Sequence, residues 1–167
     1  MRFIRKMALS VLLSCLFLLA SCSKSLVLTL PELSEEFSVH AEIEYGEFTA
    51  AGNINRAGEA WELSLIEPDE MDGFCFTKSS GQTEASLDGK TTALTDESVA
   101  DLIFGALDAI IVRDGLSVEN DGEQLVCKGI YLGNPFVARM TESELLSVEY
   151  PDEKITVNFS EYFTSVI

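Results

Sequence analysis

FSVHAEIEY, residues 37–45, alternates without a break. Phe37, Val39, Ala41, Ile43 and Tyr45 fall on one side, and Ser38, His40, Glu42 and Glu44 on the other. A two-residue period describes a strand with one dry and one wet face, the usual condition of an antiparallel sheet. Gly46 allows a bend, and residues 48–55 can pair back as a second strand weakened at Gly52. After a turn at 56–58 comes a third strand, in which Trp61, Leu63 and Leu65 oppose Glu62 and Ser64 and which Pro68 stops. Residues 67–73 form an acidic connection. Short strands are expected at 74–77 and 83–87, the second ending at Asp88-Gly89, a strong turn dipeptide.

The period then lengthens. Residues 95–98 offer an N-cap and first-turn acids, and Val99, Leu102, Ile103, Ala106, Leu107, Ile110 and Ile111 follow at helical spacing. One apolar stripe is thus predicted on a helix over about 97–112, ended by Arg113 and a nearby Gly115. Phe104 lies off that stripe and must face something else. Alternation resumes at 117–119 and 124–132, which flank the hairpin signal Asn120-Asp121-Gly122-Glu123. Asn134-Pro135 opens another turn, and further strands are expected at 136–140, 146–150 and 155–159. About nine short strands and one main helix predict an α+β, mostly antiparallel β fold. The economical packing is a curved incomplete β-barrel wrapped around the helix, which has a stripe to bury while many strands have one apolar face to offer.

The start of the chain carries an address. Arg2, Arg5 and Lys6 precede an almost wholly apolar run from Met7 to Ala20, the pattern of a secretory signal. The run falls short of the roughly 20 apolar residues that span a bilayer core. Leu19-Ala20-Ser21-Cys22 resembles a bacterial lipobox. That resemblance implies diacylglycerol attached to Cys22, cleavage before it, and palmitate-type chains anchoring the protein to a membrane. The expected division is a signal peptide at 1–21, a lipidated tether at 22–36 and one curved-sheet domain at 37–167. The domain would sit outside the cytoplasm, on the outer face of a plasma membrane or in the periplasm at an outer membrane.

The net charge of the chain is −17, from 11 basic and 28 acidic residues. Nucleic acid is excluded as a partner by this balance, because its binding rests on cationic contacts to phosphate. The same charge repels anionic head groups, so the anchor rather than the charge must hold the protein at a membrane. Besides Cys15 and Cys22 the chain has Cys75 and Cys127, both in strand-like runs. A disulfide between them and two separate buried thiols are both open. No paired Cys-x-x-Cys motif occurs and His40 is the only histidine, so no metal site of the usual zinc composition is expected. No cofactor fingerprint is present.

The order of parts resembles the lipoprotein-localisation (LolA/LolB-like) carriers and receptors and the related mycobacterial lipid-binding lipoproteins. The likeness lies in three stretches: 37–45, the Gly52-to-Arg56 strand, and Trp61 to Pro68, which reads WELSLIEP. It covers roughly residues 37–160, and it implies an incomplete barrel with helices closing its mouth. The chain departs from that pattern in the strand-to-proline segment, where the carriers usually have a basic residue, and in its helices, which in the carriers are a more hydrophobic set: here Glu67 precedes Pro68 and Asp69, Glu70 and Asp72 follow it, and there is a single main helix.

Candidate chemistry is sparse. His40 and Glu42 share a strand face and a carboxylate–imidazole pair can do acid–base work, but the face is the wet one and no nucleophile accompanies them. Asp69, Glu70 and Asp72 lack the spacing of a calcium loop and read as a solvated turn. The expected activity is therefore non-catalytic: binding a lipid, a lipoprotein or another amphiphile in an apolar groove lined by Trp61, Phe74, Phe76, Phe104, Leu107, Tyr131 and Phe136. The alternative is a monomeric surface lipoprotein with a filled core, acting as a protein-contact or envelope structural module.

Overall fold

A computed structural model describes residues 36–163 apart from 96, 114 and 142. The expected signal at 1–21, the lipidated Cys22 and all of the tether but Glu36 lie outside the described residues. Eleven strands occur in chain order: β1 (Glu36–Tyr45), β2 (Phe48–Ala57), β3 (Ala60–Glu67), β4 (Cys75–Ser79), β5 (Gln82–Leu87), β6 (Lys90–Ala93), β7 (Ser117–Asp121), β8 (Gln124–Tyr131), β9 (Asn134–Met140), β10 (Leu145–Tyr150) and β11 (Ile155–Phe163). A helix, α1 (Val99–Val112), separates β6 from β7, and a 3-10 turn at Asp69–Met71 follows β3.

All strands join one antiparallel sheet in the order β6-β5-β4-β3-β2-β1-β11-β10-β9-β8-β7. Every neighbouring pair but β1 and β11 is consecutive in the chain, so the topology is two meanders joined along that seam. This corrects the expected fold. Among the described residues one open sheet of eleven strands, with β6 and β7 at its edges, stands in place of an incomplete barrel of about nine strands wrapped around the helix. The strand without a signal is β6, whose Lys90-Thr91-Thr92-Ala93 is exposed throughout and so carries no alternation. The acidic connection likewise contains a 3-10 turn.

The sheet is bent nonetheless. Lys78 on β4 and Tyr131 on β8 are seven positions apart in the strand order. At ~4.8 Å per strand a flat sheet would hold them ~34 Å apart. Their side chains are in hydrogen-bond contact, Lys78 Nζ to Tyr131 Oη at 2.9 Å. The two wings therefore turn toward the same face, and that face carries α1.

The apolar face matches the alternation: Val39, Ala41 and Ile43 from β1, Trp61, Leu63 and Leu65 from β3, and Ile155, Val157 and Phe159 from β11 are all buried. Every position of α1 from Ala100 to Leu107 is buried, including Asp101 and Gly105. A helix covered on so much of its circumference needs more than one apolar stripe, and Phe104 supplies the second contact by stacking on Trp61 at 5.9 Å between ring centres. Ser98 caps the helix by accepting a hydrogen bond from Asp101 N at 3.1 Å. At the other end Arg113 takes the left-handed conformation (φ 60°), and Gly115 beyond it has φ 67°.

Candidate functional site

Between the N-terminal end of α1 and the β1–β3 region lies a cavity of about 300 Å³. Ile43 and Tyr45 from β1, Phe48 and Ala50 from β2, and Leu63 and Leu65 from β3 line one side. Met71, Phe76, Leu94, Ser98, Val99 and Ala100 close the other. Ser98 apart, the wall is aliphatic or aromatic. With ~30 Å³ for a water-sized group, the space holds about ten such groups, at the lower end of ligand pockets. Leu63 and Ala100 are buried, whereas Tyr45 is 47% and Phe48 44% exposed. These two rings, which pair across the β1–β2 hairpin, form the lip of an opening to solvent.

Of the residues assigned to a groove from the sequence, the structure brings only Phe76 to this cavity. Trp61, Phe104, Leu107 and Phe136 are buried in the core between sheet and helix. Phe74 packs against Phe76, ring centres 5.2 Å apart, and lines a second crevice of about 370 Å³ with Ala85, Leu87 and Leu94. Tyr131 lies half-buried against α1, so close that a Cβ on Gly105 would fall 2.1 Å from its ring. A glycine is therefore required at that helix position.

Tyr131 belongs to a polar cluster that the sequence reading missed. Asp101 Oδ1 accepts a hydrogen bond from Thr83 Oγ1 at 2.9 Å and lies 3.2 Å from Lys78 Nζ. The Tyr131 hydroxyl accepts from Lys78 and donates to Asp101 Oδ2 at 3.3 Å. Asp108 lies 3.8 Å from Lys78 Nζ and accepts from Trp61 Nε1 at 2.7 Å. The cluster thus ties β4, β5 and β8 to the helix. Lys78 is 9% and Asp101 3% exposed, and a buried ion pair of this kind holds together only because each partner has further hydrogen bonds.

Burial opposes the charge on Lys78, but the Tyr131 hydrogen bond and the Asp101 carboxylate outweigh it and leave its pKa above 10.5. Burial pushes the Tyr131 phenol up. It does the same, more strongly, for Tyr150, whose hydroxyl donates to Leu102 O at 2.8 Å, and for Tyr162, whose hydroxyl donates to Leu145 O. All four groups keep their protons to higher pH in the folded protein than in the unfolded chain. Their contribution is full below the ordinary tyrosine value of 10.0 and declines as pH rises beyond it, because the unfolded chain deprotonates first. The urea midpoint should accordingly fall as the pH is raised from about 10 to about 12, and Tyr150→Phe should flatten that fall. An equal drop in the variant would remove Tyr150 as a source.

The remaining candidates are spread over the molecule. His40 sits on the outer face, its Nδ1 3.4 Å from Asn53 Oδ1, and neighbouring Glu42 points to solvent. Asp69, Glu70 and Asp72 are exposed around the 3-10 turn, and no group of three or more potential metal ligands occurs among the described residues. Cys75 and Cys127 are both free thiols, on β4 and β8, so the alternative of a bridge is not the arrangement found. Burial raises the pKa of the Cys127 thiol, as suits a small core residue.

No family model and no curated protein matches the chain. Solved structures do. An uncharacterised conserved protein from Thermus thermophilus aligns over 81% of this chain and 82% of its own at 9% identity, with a TM-score of 0.54. The likeness is one of fold. A LolA superfamily protein, NE2245 from Nitrosomonas europaea, aligns over 83% of this chain and 90% of its own at 9% identity and a TM-score of 0.48. PNGF-II aligns over 80% of this chain but 29% of its own, at 6% identity and a TM-score of 0.40.

Proposed function

We propose that this protein is a non-catalytic, membrane-anchored extracytoplasmic lipoprotein that takes the apolar part of an amphiphile into the cavity beside the N-terminus of α1. The observation that carries the reading is the cavity itself: about 300 Å³ of apolar space behind two exposed aromatic rings. A core otherwise packed to native density leaves few voids larger than a water molecule. Burial of each methylene of a ligand there gains about 0.8 kcal/mol. The signal-like run and Leu19-Ala20-Ser21-Cys22 support the anchor, and one lipidated residue bearing two or more chains suffices for stable attachment.

The second reading is an interaction module with a filled core. It draws on the burial of Trp61, Phe104, Leu107 and Phe136, which occupy the space where the groove was first expected. Native mass spectrometry after mild purification separates the two readings: an amphiphile travelling with the protein supports the cavity, and a bare mass supports the module. Val99→Trp, at the half-buried start of α1 on the cavity wall, should abolish binding of an apolar fluorescent probe in a variant whose circular dichroism is unchanged. Undiminished binding in that variant would place the ligand elsewhere.

A further inference from the structure

We infer that the amphiphile accepted by this cavity carries a cationic head group. The inference rests on the reading of the cavity as a binding site and adds to it the chemistry of what remains outside. A tail entering past Tyr45 and Phe48 leaves its head among the elements that frame the opening: the turn of the β1–β2 hairpin, the 3-10 turn with its flanks, and the start of α1. Glu47, Asp69, Glu70 and Asp72 lie exposed on the first two of these, whereas Glu44 and Glu67 line a separate crevice with Glu42 on the other face of the sheet. Neither the 44–49 stretch nor the 67–73 stretch carries a lysine or arginine.

Cations nearby are already matched. Lys154 lies in the turn whose carbonyl accepts from Gly46 N at 3.0 Å, but Asp152 and Glu153 accompany it. Lys90 stands beyond Leu94 in the second crevice, with Asp88. Lys78 is engaged by Asp101. The N-terminus of α1 contributes about half a positive charge, which would favour an anion. That half charge is set against four carboxylates, with Glu97 beside it as a fifth, and Ser98 already satisfies one of its donors. The field at the opening is therefore negative. The faces of Tyr45 and Phe48 add in the same direction, since aromatic faces attract ammonium groups.

The test compares three ligands with one decyl tail: decyltrimethylammonium, decyl sulfate and uncharged decyl maltoside, all kept monomeric. Only the binding that Val99→Trp abolishes is counted. At low salt the ammonium ligand should bind at least about tenfold more tightly than the sulfate, with the difference shrinking as salt screens the opening. Neutralising the opening with Glu47→Gln, Asp69→Asn and Glu70→Gln together should remove most of that preference.

The same number of charges removed by Glu119→Gln, Asp121→Asn and Glu123→Gln should leave it intact. Those residues sit at the β7–β8 hairpin. From Tyr131, beside Asp101, β8 runs back past Gly129, whose added Cβ would meet Leu116 just beyond the helix C-terminus, so the hairpin lies past the far end of α1. Equal binding of all three ligands, tighter binding of the sulfate, or an equal loss of preference in the hairpin variant would overturn the cationic head group while leaving the cavity reading in place. If none of the three shows binding sensitive to Val99→Trp, both fall.

Discussion

Asp101→Ala is expected to destabilise the domain by about 3–5 kcal/mol, the cost of leaving a buried charge without its partner. In the wild type Asp101 serves Lys78, Thr83 and Tyr131 at once. Its removal leaves the Lys78 ammonium, in a site that is 9% exposed, with the neutral Tyr131 hydroxyl at 2.9 Å and no carboxylate nearer than Asp108 at 3.8 Å. It also frees Thr83 on β5 and the Tyr131 hydroxyl on β8 from the helix, leaving Trp61 on Asp108 and Tyr150 on Leu102 O to tie β3 and β10 to it. Asp101→Asn keeps the acceptor without the charge and should fall between. The double change Lys78→Met with Asp101→Leu removes both charges together and should recover most of the loss, because apolar groups of similar volume replace buried ion pairs at little net cost. Denaturant unfolding measures all three. A loss below about 1 kcal/mol in Asp101→Ala, in the range of exposed pairs, would show that the cluster does not hold the wings.

Trp61→Ala should cost about 3–5 kcal/mol, as large aromatic truncations in packed cores do. The indole is 2% exposed, stacks on Phe104 and donates Nε1–H to Asp108. Its loss opens a space at the middle of the β3–α1 contact and leaves Asp108 without its donor. The same experiment bears on function. As a core residue, Trp61 should change stability greatly and leave amphiphile binding by the remaining folded protein within a few-fold. Were it the wall of a groove, truncation would be mild in stability and severe in binding. That second outcome would return the ligand to the space between sheet and helix and undo the assignment of the cavity at Tyr45 and Phe48.

The two predictions concern residues that stood very differently in the sequence. Trp61 was conspicuous as an apolar position in an alternating run, and its burial followed from the period. What the period did not reveal was whether the space it faces is open or filled. Alternation assigns a side chain to a face; filling depends on how many other side chains reach the same point, and here Phe104 arrives from α1. The groove expected around Trp61, Phe104, Leu107 and Phe136 is therefore core, while Phe76 alone reaches the actual cavity. Ile43, Phe48 and Val99, which line it, looked like any other positions of their strands and helix.

Asp101 draws no attention in the sequence, where the first-turn acids are read at 95–98. One signal was available: Phe104, three residues on and off the main stripe, implied that this flank of the helix is also covered, and a carboxylate on a covered flank needs a buried partner. Nothing local identified that partner. Lys78 and Tyr131 lie 53 residues apart, on strands that meet only because the sheet bends.

Local chemistry decided a good deal by itself. A two-residue period marks β1, β3, β9 and β11, an abrupt change to helical spacing marks α1, and Asp88-Gly89 turns the chain with both residues at positive φ. These are properties of neighbours along the backbone, and neighbours are what a sequence displays. The count of strands, the open edges, the curl that joins β4 to β8, and the position of the empty space were decided only in the tertiary structure. β6 pairs through backbone groups and leaves no side-chain pattern, while curl and cavity arise where distant segments meet and the volumes they bring do not quite fill the gap between them.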